Sequence, residues 1–465
     1  MTRNSKHDRL THSVDLSEGD SNLSPARRSW KKTFIDPETA AWLKRDADVF
    51  VHQTLSTPCL NVLSGCKGPF IHDLGGRKYY DFHGNSAHQV GFAHPFVIAA
   101  IKEQLDTLCF CTRRYTNRPA IELAEKLAQI APDPLGRVLF APGGTTAVGI
   151  ALKLARAATG RFKTVSMWDA FHGASLDAMS ISGETMFRKD VGPLLTGAQQ
   201  VPPAEPYRCL WDPEGRCDTC DLKCAAYIDY VLEKEGDVGA VIAEPVRNTA
   251  VNPPPPGYWQ AVRAACDRHG ALLIFDETAV CLGRTGKWFA FQNFDVVPDI
   301  VTLGKGLGGG IIPFAAMIAS NDLDMAPEKG LGHYTHEKNP VAAAAALATI
   351  AVIEKERLPE RANRLGAHLL GRLESMKADY DLVGDVRGIG LLTGMDLVTD
   401  RQSKKRAIAA ADQLMVACLQ RGLSFKTSQG SFIPLSPPLN IARADLEDAM
   451  DILAAALASV AAGSL

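Results

Sequence analysis

The residues with the clearest chemical potential are a lysine and an aspartate, each at the end of an apolar run. Lys305 stands among glycines in the segment 299–310, and Asp276 ends the apolar run 272–276. A lysine amine attacks carbonyl groups once desolvation or neighbouring cations remove its proton. A buried carboxylate needs a partner, and a cationic ring nitrogen would serve as one. The pair therefore indicates a site for a flat carbonyl compound, although a lysine in a surface turn and a helix-capping or ion-paired aspartate are the alternatives.

A third feature is the glycine-rich stretch 143–146, Gly-Gly-Thr-Thr, between the apolar run 137–141 and a helical pattern over 147–158. Backbone amides at a helix start form an anion site that the helix dipole strengthens. The stretch is a weak motif by itself, but it indicates phosphate binding when it accompanies the lysine and the aspartate.

The elements that must position these residues alternate along the chain. The predicted strands are 137–141, 164–168, 238–246, 272–277 and 300–303, and the predicted helices among them include 147–158 and 257–269. Apolar strands that alternate with helices predict an α/β fold, with a mostly parallel sheet covered by helices. Ligands of such sheets bind beyond the carboxyl ends of the strands. The polar signals follow these ends.

Composition narrows the functional classes. Apolar residues make up 46% of the 465-residue chain, charged residues 22%, and the formal net charge is -2. This balance predicts an ordinary globular protein without a nucleic-acid or membrane partner. No apolar run is long enough to span a bilayer, and the polar start lacks the core of a signal peptide. With eleven cysteines and no such signal, we expect reduced thiols and a cytoplasmic location.

The pattern of elements also divides the chain. We expect a mobile N-terminal tail over 1–30 and a segment over 31–95 that contributes to a small domain. A large domain should follow over 96–345, and a C-terminal small α+β domain over 346–465. Within the segment 31–95, residues 36–56 predict an entry helix, and 70–82 predict a β-hairpin.

The lysine and aspartate segments, with Gly283-Arg-Thr-Gly286 between them, resemble the signature of class III aminotransferases. The resemblance extends from about residue 36 to the C-terminus. It implies the fold of the fold-type-I enzymes that use pyridoxal 5′-phosphate (PLP), with 96–345 as the PLP-binding domain. By this resemblance Lys305 carries PLP as a Schiff base, and Asp276 pairs with its pyridine nitrogen.

The resemblance also implies further contacts with PLP. Gly144 and Thr145 match the phosphate loop, Phe171 with His172 matches a motif whose aromatic ring stacks on the pyridine, and Glu244, Thr278 and Thr335 match other positions near PLP. Thr335 would reach the phosphate held by a partner subunit, so a homodimer would be the smallest working unit. The chain departs from the family where Thr145-Thr146 replaces Ser-Glu and Ala279 replaces a common Gln.

Several segments depart from the usual transaminase sequence: 81–91, 141–146, 168–177 and 332–338. Together with 423–430, they resemble a lyase branch of the family that converts a hydroxylated aminoethylphosphonate to phosphonoacetaldehyde and ammonia. The alternative is an ω-aminotransferase that transfers an amino group from an amine or amino acid to a keto acid. A non-catalytic regulator with the PLP fold is a third possibility.

A phosphonate dianion needs cations and fixed donors. Arg114 is the first choice for this role, and Lys426 is a second cation in the C-terminal region. Asn85 and His88 could line the substrate side, although a hydrogen-bonded core histidine is the alternative for His88. The remaining candidate cations are Arg113, Arg247, His336 and Lys338.

Four cysteines lie within one loop-like stretch: Cys209, Cys217, Cys220 and Cys224. Four thiolates can bind zinc or an iron–sulfur cluster, but a second Cys-x-x-Cys pair is absent. We therefore expect ordinary thiols in a surface insertion and no metal in the active site.

Overall fold

The computed structural model describes residues 22–53, 56–212, 214–217 and 219–463. The helices are α1 Pro25–Phe34, α2 Pro37–Val49, α3 Pro95–Thr107, α4 Arg118–Ile130, α5 Gly144–Thr159, α6 Leu176–Ile181, α7 Thr185–Arg188, α8 Lys223–Glu235, α9 Tyr258–His269, α10 Pro340–Lys355, α11 Leu358–Asp379, α12 Ile408–Gln420 and α13 Arg443–Ala461. The strands are β1 Leu63–Lys67, β2 Phe70–Asp73, β3 Lys78–Asp81, β4 Leu135–Ala141, β5 Lys163–Met167, β6 Ala198–Val201, β7 Val238–Ala243, β8 Leu272–Asp276, β9 Ile300–Leu303, β10 Ala315–Ser320, β11 Val383–Ile389, β12 Leu392–Asp400, β13 Lys405–Arg406, β14 Leu423–Ser424 and β15 Phe432–Leu435. Within these described ranges, each helix is too short or too polar to cross a membrane.

The central sheet has seven strands in the order β4-β10-β9-β8-β7-β5-β6. Strand β10 runs antiparallel to both of its neighbours, and the other pairs of adjacent strands are parallel. The prediction of a mostly parallel sheet is therefore confirmed. The antiparallel strand β10 was not predicted.

Both faces of this sheet are covered, as its apolar strands require. On one face Ile242, Ile274 and Ile300 pack in a buried cluster with the apolar residues of α5. On the other face Leu273 and Val301 belong to the largest buried cluster, which also contains residues of α9 and α10. Because side chains alternate along a strand, one apolar run covers both faces and fixes the layers around the site.

Two smaller four-stranded sheets complete the fold. One has the order β1-β2-β3-β14, in which Leu423 of β14 pairs in parallel with Tyr80 of β3. The other consists of β11, β12 and β13, with β15 paired to β12. The N-terminal segment thus shares a sheet with the C-terminal part of the chain, and the hairpin predicted over 70–82 is present as β2 and β3. The boundaries at 95/96 and 345/346 remain predictions.

The N-terminal tail predicted over 1–30 is wrong for its last residues. Helix α1 begins at Pro25, where the Ser24 hydroxyl accepts a hydrogen bond from the Arg27 amide at 3.2 Å. Trp30 is 2% exposed, and Arg27 Nε lies 3.3 Å from Asp412 Oδ1. One buried tryptophan and one ion pair fix a segment whose composition is otherwise polar. Residues 1–21 lie outside the described ranges.

We expect Trp30→Ala to lower the free energy of unfolding by about 3 to 5 kcal/mol, because it leaves a cavity under α1. Trp42→Ala is the matched control, since Trp42 on α2 is 45% exposed and should cost about 0.5 kcal/mol or less. Denaturant unfolding of both variants measures the difference. Equal midpoints and slopes for the two variants would contradict the packing of α1 described here.

Candidate active site

The strand register brings the predicted residues to one edge of the central sheet. In the strand register Asp276 pairs with Thr302, three residues before Lys305. Ala315 pairs with Ala141, just before the glycine stretch 143–146. The turn that begins at Lys305 is called the lysine turn below. Lys305 follows the end of β9 at Leu303. Three chain segments that are distant in sequence therefore meet beyond the carboxyl ends of β4, β8 and β9, as the sheet rule requires.

Asp276 is a buried carboxylate with both oxygens hydrogen-bonded. His172 Nδ1 lies 2.9 Å from Asp276 Oδ2. The hydroxyls of Thr278 and Thr302 donate to Oδ1 at 2.6 and 3.0 Å. Burial acts to raise the pKa of Asp276, but the hydrogen bonds and charge of His172, together with Thr278, more than offset it and leave the pKa lowered. The carboxylate is therefore ionised at neutral pH and can balance a cation.

His172 and Phe171 are positioned by a neighbouring segment. The backbone amide of His172 donates to the Ser182 hydroxyl at 2.9 Å, and the His172 ring is buried. The Phe171 ring packs against Phe187 with a centroid distance of 4.6 Å. The predicted stacking of Phe171 on the pyridine remains a prediction.

The lysine turn and the glycine stretch approach each other closely. A Cβ at Gly144 would lie 2.8 Å from Thr278 Cγ2, and a Cβ at Gly304 would lie 2.8 Å from the same methyl group and 3.7 Å from Gly144 Cα. Lys305 has a positive φ of 45° and an exposed side chain. Only glycines fit at 144 and 304, so the turn can present the lysine amine to the open space beside the helix start.

Helix α5 begins without a side-chain cap. Its first intrahelical bond runs from the Ala147 amide to the Gly143 carbonyl at 3.1 Å, which leaves the amides of the first turn available to an anion. The Thr145 hydroxyl is 2.6 Å from the Ser175 hydroxyl. The arrangement fits a phosphate group, with Thr145 at its edge.

A second acid, Glu244, follows the end of β7. The strand was predicted to continue to Val246 but ends at Ala243, and Glu244 Oε2 accepts a hydrogen bond from the Asn248 amide at 3.0 Å. Burial raises the pKa of Glu244, against the opposing effect of His172. Glu244 is therefore protonated more readily than an ordinary glutamate.

The family model described as Aminotransferase class-III matches residues 52–457 of the chain. The chain belongs to the class III aminotransferase family. The resemblance noted in the sequence is therefore confirmed.

Relatives within this family differ in their reactions. The (R)-1-hydroxy-2-aminoethylphosphonate ammonia-lyase of Vibrio splendidus is 49% identical over 456 residues, covering 96% of this chain and 95% of the relative. The leucine/methionine racemase of Thermococcus litoralis is 37% identical and covers 90% and 96%. Among solved structures, taurine:2-oxoglutarate aminotransferase from Bifidobacterium kashiwanohense, in complex with PLP and glutamate, matches with a TM-score of 0.86 and 27% identity, covering 92% of this chain and 99% of that one.

The class III aminotransferase fold implies PLP, and the residues at this edge fit that cofactor. The open amides at the start of α5 suit its phosphate, and the ionised Asp276 suits a protonated pyridine nitrogen. Lys305 stands exposed on the same edge, where it can react with an aldehyde. The glycines at 144 and 304 leave the space between these groups that a Cβ would fill.

The predicted substrate residues lie in different surroundings. Arg114 is exposed, and Lys426 is half-buried. Asn85 is exposed on a turn that contacts the lysine turn. His88 is fully buried, its Nε2 lies 3.1 Å from the Asp81 carbonyl, and burial with nearby Arg284 lowers its pKa to about 3. This placement favours the alternative interpretation of His88 as a core histidine.

Two of the other predicted cations are already engaged. Arg247 is buried, and its Nη2 lies 2.8 Å from Glu184 Oε1. Arg113 pairs with Glu337 at 3.2 Å and also contacts His333. Sequence analysis missed both pairs, and it also missed Thr302. The available signal for Thr302 was its position near the end of the predicted strand 300–303, next to the strand that ends at Asp276. In the structure the two residues pair directly.

Cys209, Cys217, Cys220 and Cys224 form no disulfide in the part of the chain that the structure describes. Across the residues that the structure describes, no three His, Cys, Asp or Glu side chains are arranged to bind a metal ion. Burial raises the pKa of Cys224 to about 11, so this thiol stays protonated at neutral pH. The interpretation as ordinary thiols remains a prediction.

We expect Gly144→Ala to weaken PLP binding by about tenfold, because its methyl group would press on Thr278 and displace the helix start. Gly143→Ala is the matched control, since a Cβ there meets no atom within 4 Å and the backbone is extended. Titration of the apo-protein with PLP, followed by absorbance, measures both affinities. If the two variants bind PLP equally well, the close approach described here is not part of the cofactor site.

Proposed function

We propose that the chain is a PLP-dependent ammonia-lyase that converts (R)-1-hydroxy-2-aminoethylphosphonate to phosphonoacetaldehyde and ammonia, a step of phosphonate degradation. The observation that carries the proposal is the 49% identity with the Vibrio splendidus enzyme over nearly the whole of both chains. The other relatives named above are less similar and include a racemase and an aminotransferase. A Schiff-base lysine and an acid serve reactions of all these kinds, so they do not distinguish between them. The proposal therefore depends on the sequence similarity of the residues around Lys305 and Asp276.

The residues of the site divide the work of proton transfer. Bound PLP supplies an electron sink for the carbanion next to the substrate amine. Lys305 would hold the cofactor through its aldehyde, and as a free amine its Nζ would remove the proton from the amine-bearing carbon of the substrate. Asp276, kept ionised by His172 and the threonine hydroxyls, holds a proton on the ring nitrogen and so maintains the sink.

Elimination then breaks the bond between the adjacent carbon and its hydroxyl oxygen. The ammonium group of Lys305 has just received a proton, and it can return that proton to the departing hydroxide as water. His88 cannot replace it, because its low pKa keeps the imidazole neutral and the ring is buried. The released enamine takes up one water and yields phosphonoacetaldehyde and ammonia, so atoms balance without a keto acid.

Arg114 remains our first choice for the phosphonate dianion. The ion pairs of Arg113 and Arg247 with glutamates make those two arginines poorer candidates. The exposed Arg114 side chain presents a planar donor fork that suits a phosphonate. Lys426 is the second candidate.

We further propose a homodimer in which Thr335 reaches the site of the partner subunit. The segment around Thr335 is exposed in the single chain, and so are apolar residues of the region 105–115, which are Leu105, Leu108, Phe110 and Tyr115. An exposed apolar region of this kind is typical of a surface that another chain covers. A cytoplasmic location also remains part of the proposal.

We expect the wild-type holoenzyme to release ammonia from (R)-1-hydroxy-2-aminoethylphosphonate without any keto acid, and none from 2-aminoethylphosphonate, which lacks the leaving hydroxyl. An ammonia assay with both compounds measures this. Stable conversion of the cofactor to its pyridoxamine form, with no ammonia released, would instead establish the aminotransferase alternative.

Lys305→Ala should reduce ammonia release by at least about a thousandfold, because it removes both the base and the acid. Borohydride reduction of the wild-type holoenzyme should attach the cofactor to the peptide that contains residue 305, as mass spectrometry would show. Label on another lysine, or full turnover by the variant, would refute the assignment.

Mixed dimers test whether Thr335 acts across the interface. We expect Thr335→Ala and Lys305→Ala homodimers to be poorly active, and a mixture refolded together to regain activity, because each mixed dimer would contain one site with both native residues. If Thr335 served its own subunit, no native site would form and the mixture would stay inactive. Ammonia release before and after mixing decides between the two.

A further inference from the structure

The segment before the buried His88 forms a left-handed turn next to the lysine. Gly84, Asn85 and Ser86 have φ values of 46°, 47° and 57°. Asparagine tolerates this conformation better than most residues, but a run of it is uncommon outside glycine. Strained backbone of this kind persists where its surroundings impose it, and it concentrates at functional sites.

The turn is fixed against the lysine segment. Residues of Gly84–Ser86 contact the helical turn Lys305–Gly308. A Cβ at Gly306 would lie 1.9 Å from Gln89 Oε1, and a Cβ at Gly310 would lie 2.9 Å from the Ala87 carbonyl oxygen. Gly306 and Gly310 therefore permit close contact between the segment that follows the turn and the backbone that follows Lys305.

Two of the neighbours of Asn85 in the turn pack against buried groups. Behind it lies the His88 ring, because a Cβ at Gly84 would be 2.2 Å from His88 Nδ1. The buried Ser86 hydroxyl donates to Asn248 Oδ1 at 3.3 Å, and the Asn248 amide donates to Glu244. Asn85 alone in 84–90 is exposed. Asn85 is thus the exposed residue of a turn that contacts the lysine turn, while its neighbour Ser86 is hydrogen-bonded to Asn248.

We propose that Asn85 is a specificity-determining residue that binds the hydroxyl group of the substrate. The inference rests on the proposed function. The hydroxyl oxygen is two bonds from the carbon that Lys305 deprotonates, so a group that binds it must lie beside the lysine turn, where Asn85 lies. A carboxamide both donates and accepts hydrogen bonds, as a hydroxyl group does. Because the carboxamide is neutral, it suits the hydroxyl group of the substrate better than it suits the phosphonate dianion.

The side chain orients the leaving group and does not protonate it, since an amide does not titrate near neutral pH. The proton still comes from Lys305. A site built to hydrogen-bond a hydroxyl discriminates against the analogue that lacks it, because the polar group of the protein is then left unpaired. Asn85 would therefore favour hydroxylated over unhydroxylated aminoethylphosphonate at the binding step as well.

The test compares dissociation constants for the two compounds on the Lys305→Ala holoenzyme, which binds without turnover, by titration of cofactor absorbance. We expect the hydroxylated compound to bind roughly three- to tenfold more tightly, the worth of one hydrogen bond. Asn85→Gly in the same background keeps the left-handed turn, removes the amide, and should bring the ratio close to one. An unchanged ratio would overturn the assignment.

Asp295→Gly provides the matched control, because Asp295 is also exposed with a positive φ of 50°, in the loop that leads to the opposite end of β9. Its ratio should equal that of the parent. Asn85→Ala serves as a second variant if the glycine variant folds poorly. Wild-type protein that releases no ammonia would refute the proposed function, whereas an unchanged ratio with normal ammonia release would refute only the role of Asn85.

Discussion

The site depends on keeping one buried carboxylate ionised. A carboxylate at the end of a covered strand loses most of its hydration, which costs several kcal/mol unless partners replace the water. Around Asp276 the replacements come from His172 and from the hydroxyls of Thr278 and Thr302. These partners belong to three segments, so the charge of one side chain requires β8, β9 and the chain after β5 to be in register.

The second constraint is close approach between backbones. A Cβ added at Gly144, in the first turn of α5, or at Gly304, just before Lys305, would lie within 3 Å of the Thr278 side chain. The start of α5, whose amides suit a phosphate, and the backbone just before Lys305 therefore come close together at two glycines. The family resemblance identified the glycine segment 304–310, and the structure gives its physical reason at Gly304, Gly306 and Gly310.

Sequence reasoning was most successful where a pattern was long and apolar. Strand β9 has the predicted bounds of 300–303, and helix α9, predicted over 257–269, extends over 258–269. It failed for the end of the predicted N-terminal tail, because the segment is polar in composition but one residue in it, Trp30, is buried. It also missed strand β10, whose run Ala315–Ser320 is apolar but contains three alanines, a residue depleted in strands. Ion pairs such as Arg247 with Glu184 join residues 63 apart, and no spacing rule predicts them.

The choice between elimination and amino transfer cannot lie in Asp276 or Lys305, because both reactions begin with the same carbanion. The outcome depends on which event follows faster. Departure of a group from the adjacent carbon gives elimination, whereas protonation of the cofactor gives amino transfer. Departure is fastest when the carbon–oxygen bond is held in a reactive geometry and a proton is available to the leaving oxygen. In the proposed mechanism Lys305 provides the proton, and the neighbouring turn at 84–86 provides the geometry. The backbone of this turn is strained, and the chain there departs from the usual transaminase sequence.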